Sequence, residues 1–385
     1  MDVATAAPYR PVAFHHIGRG RVCPPVAKSP QVDALLARDS VVAIGVSGGK
    51  DSDACAIAVS RHLDALRHQG PRVLVHADLG RVEWKDSLPA CERLAAHLGW
   101  ELMVVKRQAG DMLARWQGRW AANVARYEAL DCVRIILPWS TPSMRFCTSE
   151  LKVAVITSAL KKRFPGQDIV NVAGIRRQES AARSRMPVSA AQPKLERRGL
   201  AGVTWNAIID WQLEDVLDTL ADARLQLHEA YTRFHASRVS CAFCIMSSIG
   251  DLQAAASCPD NRELYREMVD LELTSSFAFQ GSRWLADLRP DWLDAGQTQR
   301  VSQAKRKAAL RAEIESEIPD HLLFCKKGWP TALPSMAEAA LLASVRERIG
   351  ALLDLQVAYT DALSIRARYA QLMHARQGQP ALAAA

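Results

Sequence analysis

The 385-residue chain has no apolar run of the roughly 18 to 20 residues that a membrane span requires, and residues 1–21 lack the apolar centre of a secretory leader. A membrane partner is therefore not expected, and the cytoplasm is the expected compartment. An even cysteine count is also missing: nine cysteines in such a chain read as thiols, metal ligands or nucleophiles, not as a disulfide framework. No internal repeat is present. What remains is an ordinary globular balance, 49% apolar and 23% charged, in a chain long enough for one large domain or two.

The net charge of +8 is unevenly spread. Residues 161–198 hold ten Lys or Arg against Asp168, Glu179 and Glu196, a concentration suited to a polyanion, either nucleotide phosphates or DNA or another nucleic acid. A solvated basic loop is the plainer alternative.

Residues 41–46, V-V-A-I-G-V, have the composition of a buried parallel strand. They run into Ser47-Gly48-Gly49-Lys50-Asp51-Ser52, and helical character follows. Adjacent glycines let backbone amides approach a phosphate, while the next helix aims its positive end at the same spot. A polyphosphate is the expected ligand. The spacing is not that of a Walker A loop, which needs four residues between its first glycine and Gly-Lys. The hexapeptide resembles instead the PP-loop, S-G-G-x-D-S, of the ATP pyrophosphatases and the PAPS-reductase-like superfamily.

Residues 72–78 and 101–105 read as further strands, with a helix over about 88–98 between them, and 168–173 as a fourth. Strands alternating with helices at this spacing predict an α/β fold, a doubly wound and mostly parallel sheet with ligands at the carboxyl ends of its strands. Asp78 falls at such an end, where it would orient a ribose or a metal ion, or simply cap a turn. Residues 1–35, rich in proline, are expected to form an irregular arm with a short helix near 31–38. Residues 36–240 form the nucleotide-binding domain, and 241–385 the cysteine site and a helical C-terminal region. A helix over 111–129 puts Trp116 and Trp120 on one face, as core or as a subunit-packing face of a homo-oligomer.

Three later segments carry chemistry. In Arg145-Phe146-Cys147-Thr148, a thiol between Arg145 and Lys152 near a helix start has its thiolate favoured, as suits a nucleophile or an iron ligand. Gly174-Ile175-Arg176-Arg177-Gln178-Glu179-Ser180 brings an arginine fork able to hold phosphate oxygens at two points, with Glu179 as the orienting partner of Arg176, and Arg183 and Arg185 trailing. Ile208-Ile209-Asp210-Trp211 looks architectural, Asp210 capping a helix and Trp211 packing beneath it. It leads to Cys241-Ala242-Phe243-Cys244, and thirteen residues separate Cys244 from Cys258. Two thiolates at this spacing can hold one metal centre. Spacing alone leaves open an iron-sulfur cluster on Cys147, Cys241 and Cys244 with or without Cys258, a zinc ion also drawing on Cys147, Cys258 or His235, and an unmetallated pair. Cys55, Cys91 and Cys132 read as buried small hydrophobes. Cys325, beside two lysines, is a lone thiol.

The loop, Arg-Phe-Cys-Thr, Gly-Ile-Arg and the Asp-Trp block running into C-x-x-C stand in the order found in the PAPS-reductase-like family. Together they cover about residues 40–250, with Ala207 where that family usually has proline. The resemblance implies the adenine nucleotide alpha hydrolase fold, ATP and Mg²⁺ as ligands, and a [4Fe-4S] cluster at the cysteines in preference to zinc. Ser47, Gly48, Gly49, Lys50, Asp51, Ser52, Asp78, Gly174 and Arg176 would line the nucleotide, and Lys50, Asp51, Cys147 and Arg176 would serve the chemistry. The branch it most resembles includes the sulfur-transfer proteins of DNA phosphorothioation systems, which implies a sulfur donor such as a cysteine desulfurase. The rival within the family is a PAPS or APS reductase releasing sulfite, whose Glu-Cys-Gly-type tail does not follow Cys325. A rival of another class is a non-catalytic nucleic-acid-binding subunit.

Overall fold

The computed structural model describes residues 23–324 and 328–377, so Cys325 and most of the expected N-terminal arm lie outside the described residues. Six strands form one sheet in the order β3-β2-β1-β4-β6-β5. They are β1 (Val41–Val46), β2 (Arg72–Asp78), β3 (Glu101–Lys106), β4 (Ile169–Val172), β5 (Ser189–Ala191) and β6 (Gly202–Trp205). β1 pairs in parallel with β2 on one side and β4 on the other. β2–β3 and β4–β6 are also parallel, and only the edge pair β5–β6 is antiparallel. The apolar run of β1 is explained by its central place: Val41, Val42, Ala43 and Ile44 are wholly buried because helices cover both faces of a parallel sheet. Strand order reverses between β1 and β4, and a crevice at the carboxyl ends of such a pair is where an open α/β sheet takes its ligand.

Helix α1 (Pro30–Leu36) sends Val32, Leu35 and Leu36 into the core, and α2 (Lys50–Ala65) follows β1 directly. Helix α3 (Ser87–Leu98) ends at Gly99, whose φ of 67° makes the left-handed stop that glycine favours. Trp205 and Trp211 donate their indole N–H groups to the carbonyls of Ala27 and Pro25, which seats the segment before α1. Asp210 does not cap the next helix. Leu213–Asp222 is capped reciprocally by Gln212 and Asp215, and the exposed Asp210 pairs with Arg177.

The chain divides into two compact units, Met1–Leu113 with Ser140–Leu264, and Ala114–Trp139 with Tyr265–Ala385. The first contains the sheet, the Ser47–Ser52 loop and Cys147, Cys241, Cys244 and Cys258. The second is helical. Its core gathers Tyr127, Leu130, Ile135, Leu342, Ile349 and Tyr369. Trp116 belongs to a buried aromatic group with Trp139 and Phe279 at centroid distances of 5.4 and 6.2 Å. The alanine- and leucine-rich stretch 336–373 forms two helices, Met336–Leu353 and Ala362–Gln377, because Asp354 turns left-handed at φ 58°.

The basic stretch 161–198 does not lie on one face. β4 and β6 cross the sheet within and after it, so Arg197 binds the carbonyls of Lys161, Phe164 and Gln167 at the amino end of β4, whereas Arg176 to Arg185 follow its carboxyl end. Among the described residues no helix is long and apolar enough to cross a membrane.

Candidate functional site

Beyond β1 the chain turns at Gly48, whose φ of +72° suits glycine. A Cβ there would lie 2.9 Å from the Ala90 Cβ and 3.0 Å from His228 Cδ2, so the loop is pressed against α3 and the 228 region. α2 starts at Lys50 with Gly49 as its extended N-cap and no side-chain cap, leaving the first-turn amides and the helix dipole directed at the loop. The Ser52 hydroxyl donates to the Gly49 carbonyl at 2.7 Å and closes the turn. Gly174, just beyond β4, comes so close to this turn that a Cβ would sit 2.7 Å from the Asp51 carbonyl oxygen and 2.8 Å from Ser52 Cα. The two glycine-bearing segments expected to contact nucleotide thus meet at the switch between β1 and β4.

A buried charge network joins them. Lys50 Nζ donates to Asp51 Oδ2 at 3.0 Å, and Arg176 Nε donates to Asp51 Oδ1 at 2.7 Å. Burial works to raise the Asp51 carboxyl, but the Lys50 and Arg176 charges overcome it and hold it below the usual carboxylate value. Both Asp51 oxygens are engaged by cations, which makes Asp51 an orienting residue of the loop. Arg176 is fixed in turn: its N–H donates to Glu179 Oε2 at 2.8 Å, and its guanidinium also reaches Gln178. Glu179 further pairs with Arg183. Arg185 is exposed. Asp78 takes the local role, accepting the Gly80 N–H at 2.7 Å.

Several residues that sequence reading missed surround this network. Tyr231, fully buried, accepts the backbone N–H of Lys50 at 3.2 Å and that of Val239 at 3.0 Å. Lys50 Nζ also donates to the Ser237 carbonyl at 3.2 Å and lies 5.4 Å from the Tyr231 ring centroid. His228 is buried and accepts the Ala230 N–H, and burial lowers it to about 4, so it is neutral beside Gly48. Asp53, in the first turn of α2, is raised to about 7 by burial. His76 on β2 contacts the Val46 carbonyl, one residue before the loop, and Glu83 at 3.2 and 3.1 Å. Burial opposes its charge, but its Cys91 and Glu83 contacts push it up to about 10. None of these residues belongs to a local motif.

Cys147 lies in the short helix Phe146–Thr148, immediately before a π-helical turn, Ser149–Val153, of the kind often found at functional sites. Cys241, Cys244 and Cys147 share one neighbourhood. Burial pushes the Cys241 thiol up to about 12, the Cys244 and Cys147 sulfurs act in the same direction, and Lys152 opposes them. Lys152 therefore faces Cys241, while Arg145 turns to the Thr148 hydroxyl at 3.3 Å. The backbone N–H of Ala242 donates to the Val82 carbonyl at 2.7 Å, pinning the C-x-x-C to the loop after β2. Cys258 stands apart: buried, it has Glu229 and Asp260 as charged neighbours rather than the other sulfurs. The eight described cysteines are free thiols. Among the described residues no group of three or more His, Cys, Asp or Glu side chains is placed to hold a metal ion. For a single ion the three sulfurs as placed make no such group, and no chemical step below passes through a metal centre.

Residues 41–256 match the family model described as the phosphoadenosine phosphosulfate reductase domain. Among solved structures the chain is similar to the phosphoadenylyl-sulfate (PAPS) reductase from Candida auris in its phosphate complex, with 13% identity and a TM-score of 0.33 over 52% of this chain and 80% of that one. No curated protein matches the sequence significantly.

Proposed function

The chain belongs to the phosphoadenosine phosphosulfate reductase domain family, and from that premise we propose that it is an ATP pyrophosphatase that adenylates a substrate and supports sulfur transfer at the cysteine site. The observation that carries this reading is the convergence of Lys50 and Arg176 on Asp51 at the N-terminus of α2. Two buried cations, a helix N-terminus and a backbone turn kept open by Gly48 and Gly174 form a seat for a polyphosphate. In the proposed reaction a substrate oxygen attacks the α-phosphorus of ATP, the bond to the bridging oxygen breaks, and pyrophosphate leaves. Lys50 neutralises charge on the leaving group, Arg176 holds phosphate oxygens, and Asp51 keeps both cations in register. Positioning and charge stabilisation supply most of the rate. Mg²⁺ would accompany ATP. A persulfide on one of Cys147, Cys241 and Cys244, loaded by the sulfur donor, would attack the adenylated centre through its outer sulfur with AMP leaving; a second of these thiols would then break the S–S bond, freeing the thiolated product and leaving a cysteine disulfide for an external dithiol to reduce. The resemblance to phosphorothioation proteins makes nucleic acid the proposed acceptor class and a cysteine desulfurase the proposed donor.

A second reading is favoured by the family model itself: a reductase that uses these thiols on PAPS or APS and releases sulfite. One anaerobic preparation tests both. The first reading expects pyrophosphate from ATP with a candidate acceptor and loss of that release in Lys50→Ala. Sulfite from PAPS with thioredoxin, and no pyrophosphate from ATP, would replace it by the second. Zinc or iron analysis of the same sample reports what the cysteines hold.

A further inference from the structure

The loop that would hold the nucleotide and the segment that carries the C-x-x-C are joined by two side chains, Tyr231 and Lys50. The Tyr231 hydroxyl sits between two backbone donors, Lys50 N–H in the first turn of α2 and Val239 N–H two residues before Cys241. The Lys50 ammonium, on the same residue, spans the gap again by donating to the Ser237 carbonyl. Tyr231 is 1% exposed and Lys50 6%, so no water substitutes readily for either bond. His228, one helical turn earlier, packs against Gly48, so the short helix Glu229–Thr232 backs the phosphate loop from Gly48 to Lys50.

We infer that Tyr231 is a positioning residue that registers the phosphate loop against Ser237 to Cys244, so that nucleotide at the loop and the placement of the cysteine segment are linked. The physical reason is that Lys50 serves both sides. Two of the three donors of its ammonium are spent on Asp51 and Ser237. A polyphosphate arriving at the loop competes for that charge and alters the pull on the Ser237 carbonyl, while Tyr231 transmits any shift of the α2 first turn to the Val239 amide. Linkage of this kind is reciprocal: what nucleotide does to the segment, the segment does to nucleotide affinity. Because burial keeps the Tyr231 phenol protonated, its hydroxyl stays neutral and accepts both N–H groups at any working pH.

The inference rests on the loop being the nucleotide site, and the test separates the two. Hydrogen exchange of the peptide covering 236–246 is followed in the full chain, purified anaerobically, with and without Mg-ATP, alongside ATP affinity by calorimetry. In the wild type, ATP is expected to change exchange at Val239 at least threefold. Tyr231→Phe keeps the ring and its packing but leaves two buried N–H groups without the hydroxyl. It is expected to weaken ATP about tenfold, to speed Val239 exchange in the absence of nucleotide, and to abolish the ATP response. Lys50→Met is expected to lose the response with the Tyr231 hydroxyl still present. ATP that binds with no change in 236–246, or a Tyr231→Phe protein that responds like the wild type, overturns the linkage alone. ATP that fails to bind the wild type overturns the reading of the loop and this inference with it.

Discussion

Replacing Asp51 by Asn removes the single negative charge that two buried cations share, and its cost follows from the geometry. The carboxylate lies 3.0 Å from Lys50 Nζ and 2.7 Å from Arg176 Nε, with side-chain exposures of 16%, 7% and 5% for Asp51, Lys50 and Arg176. At an effective dielectric of about 20, each contact is worth about 5 to 6 kcal/mol of Coulomb attraction. Desolvation of several kcal/mol per ion offsets most of that, so the intact triad adds little net stability. Removing only the anion leaves the desolvation cost of Lys50 and Arg176 without its compensation, and a loss of about 3 to 5 kcal/mol is expected. The loss should narrow with saturating ATP, because phosphate charge replaces the carboxylate. It should also be flat with pH down to the ordinary carboxylate range. The Asp51 carboxyl is held below its usual 3.8, so its contribution is fully present above that value and disappears only as pH falls through the lower folded-state value. Urea unfolding followed by hydrogen exchange of peptides from the first unit isolates the relevant transition. An Asp51→Asn protein within about 1 kcal/mol of wild type, equally with and without ATP, would refute the buried triad.

Gly174→Ala places a methyl 2.7 and 2.8 Å from backbone atoms of Asp51 and Ser52, which cannot swing aside; about 1 to 3 kcal/mol of strain and weakened ATP binding are expected. Gly118→Ala, mid-helix with nothing within 4 Å, should instead be neutral or stabilising, and calorimetric melting of the pair checks the contrast. Asp53, raised from 3.8 to about 7, contributes stability that is fully present below 3.8 and lost as pH rises through 7. Asp53→Asn should therefore match the wild type near pH 4 and exceed it by up to about 4 kcal/mol at pH 8 in urea titrations, and an unchanged difference across that range would contradict the assignment. Arg346, 1% exposed, donates to the carbonyls of Tyr127, Glu128, Ala358 and Tyr359. Arg346→Met should cost the second unit about 3 kcal/mol or more, with no rescue by Lys, whose ammonium lacks the planar fork; exchange of second-unit peptides measures it.

The legible parts of this fold were those whose physics is local. β1 announced itself because a strand buried on both faces must be apolar throughout, and Gly48 and Gly174 because a positive-φ turn at one and a close approach to Asp51 at the other tolerate no side chain. β5 and β6 were hidden because Ser189–Ala191 and Gly202–Trp205 are too short to show a period. Charge density along 161–198 suggested a seat for a polyanion, and β4 parts that concentration into two, since a strand carries its flanks to opposite ends of the sheet.

Sequence alone determined that a glycine turn follows β1 and opens a helix, because that geometry depends on Ser47 to Ser52 and the residues that follow them. It also determined the family, through motifs in a set order. Which groups answer one another was decided only in three dimensions. Asp51 meets Arg176 across 125 residues and the Lys50 amide meets Tyr231 across 181. Cys147 joins Cys241 and Cys244 while Cys258, nearer in the chain, does not. For Asp51 and Arg176 the reason is the strand order: placing β4 beside β1 brings together the segments that follow each strand, and distance along the chain carries no information about that pairing.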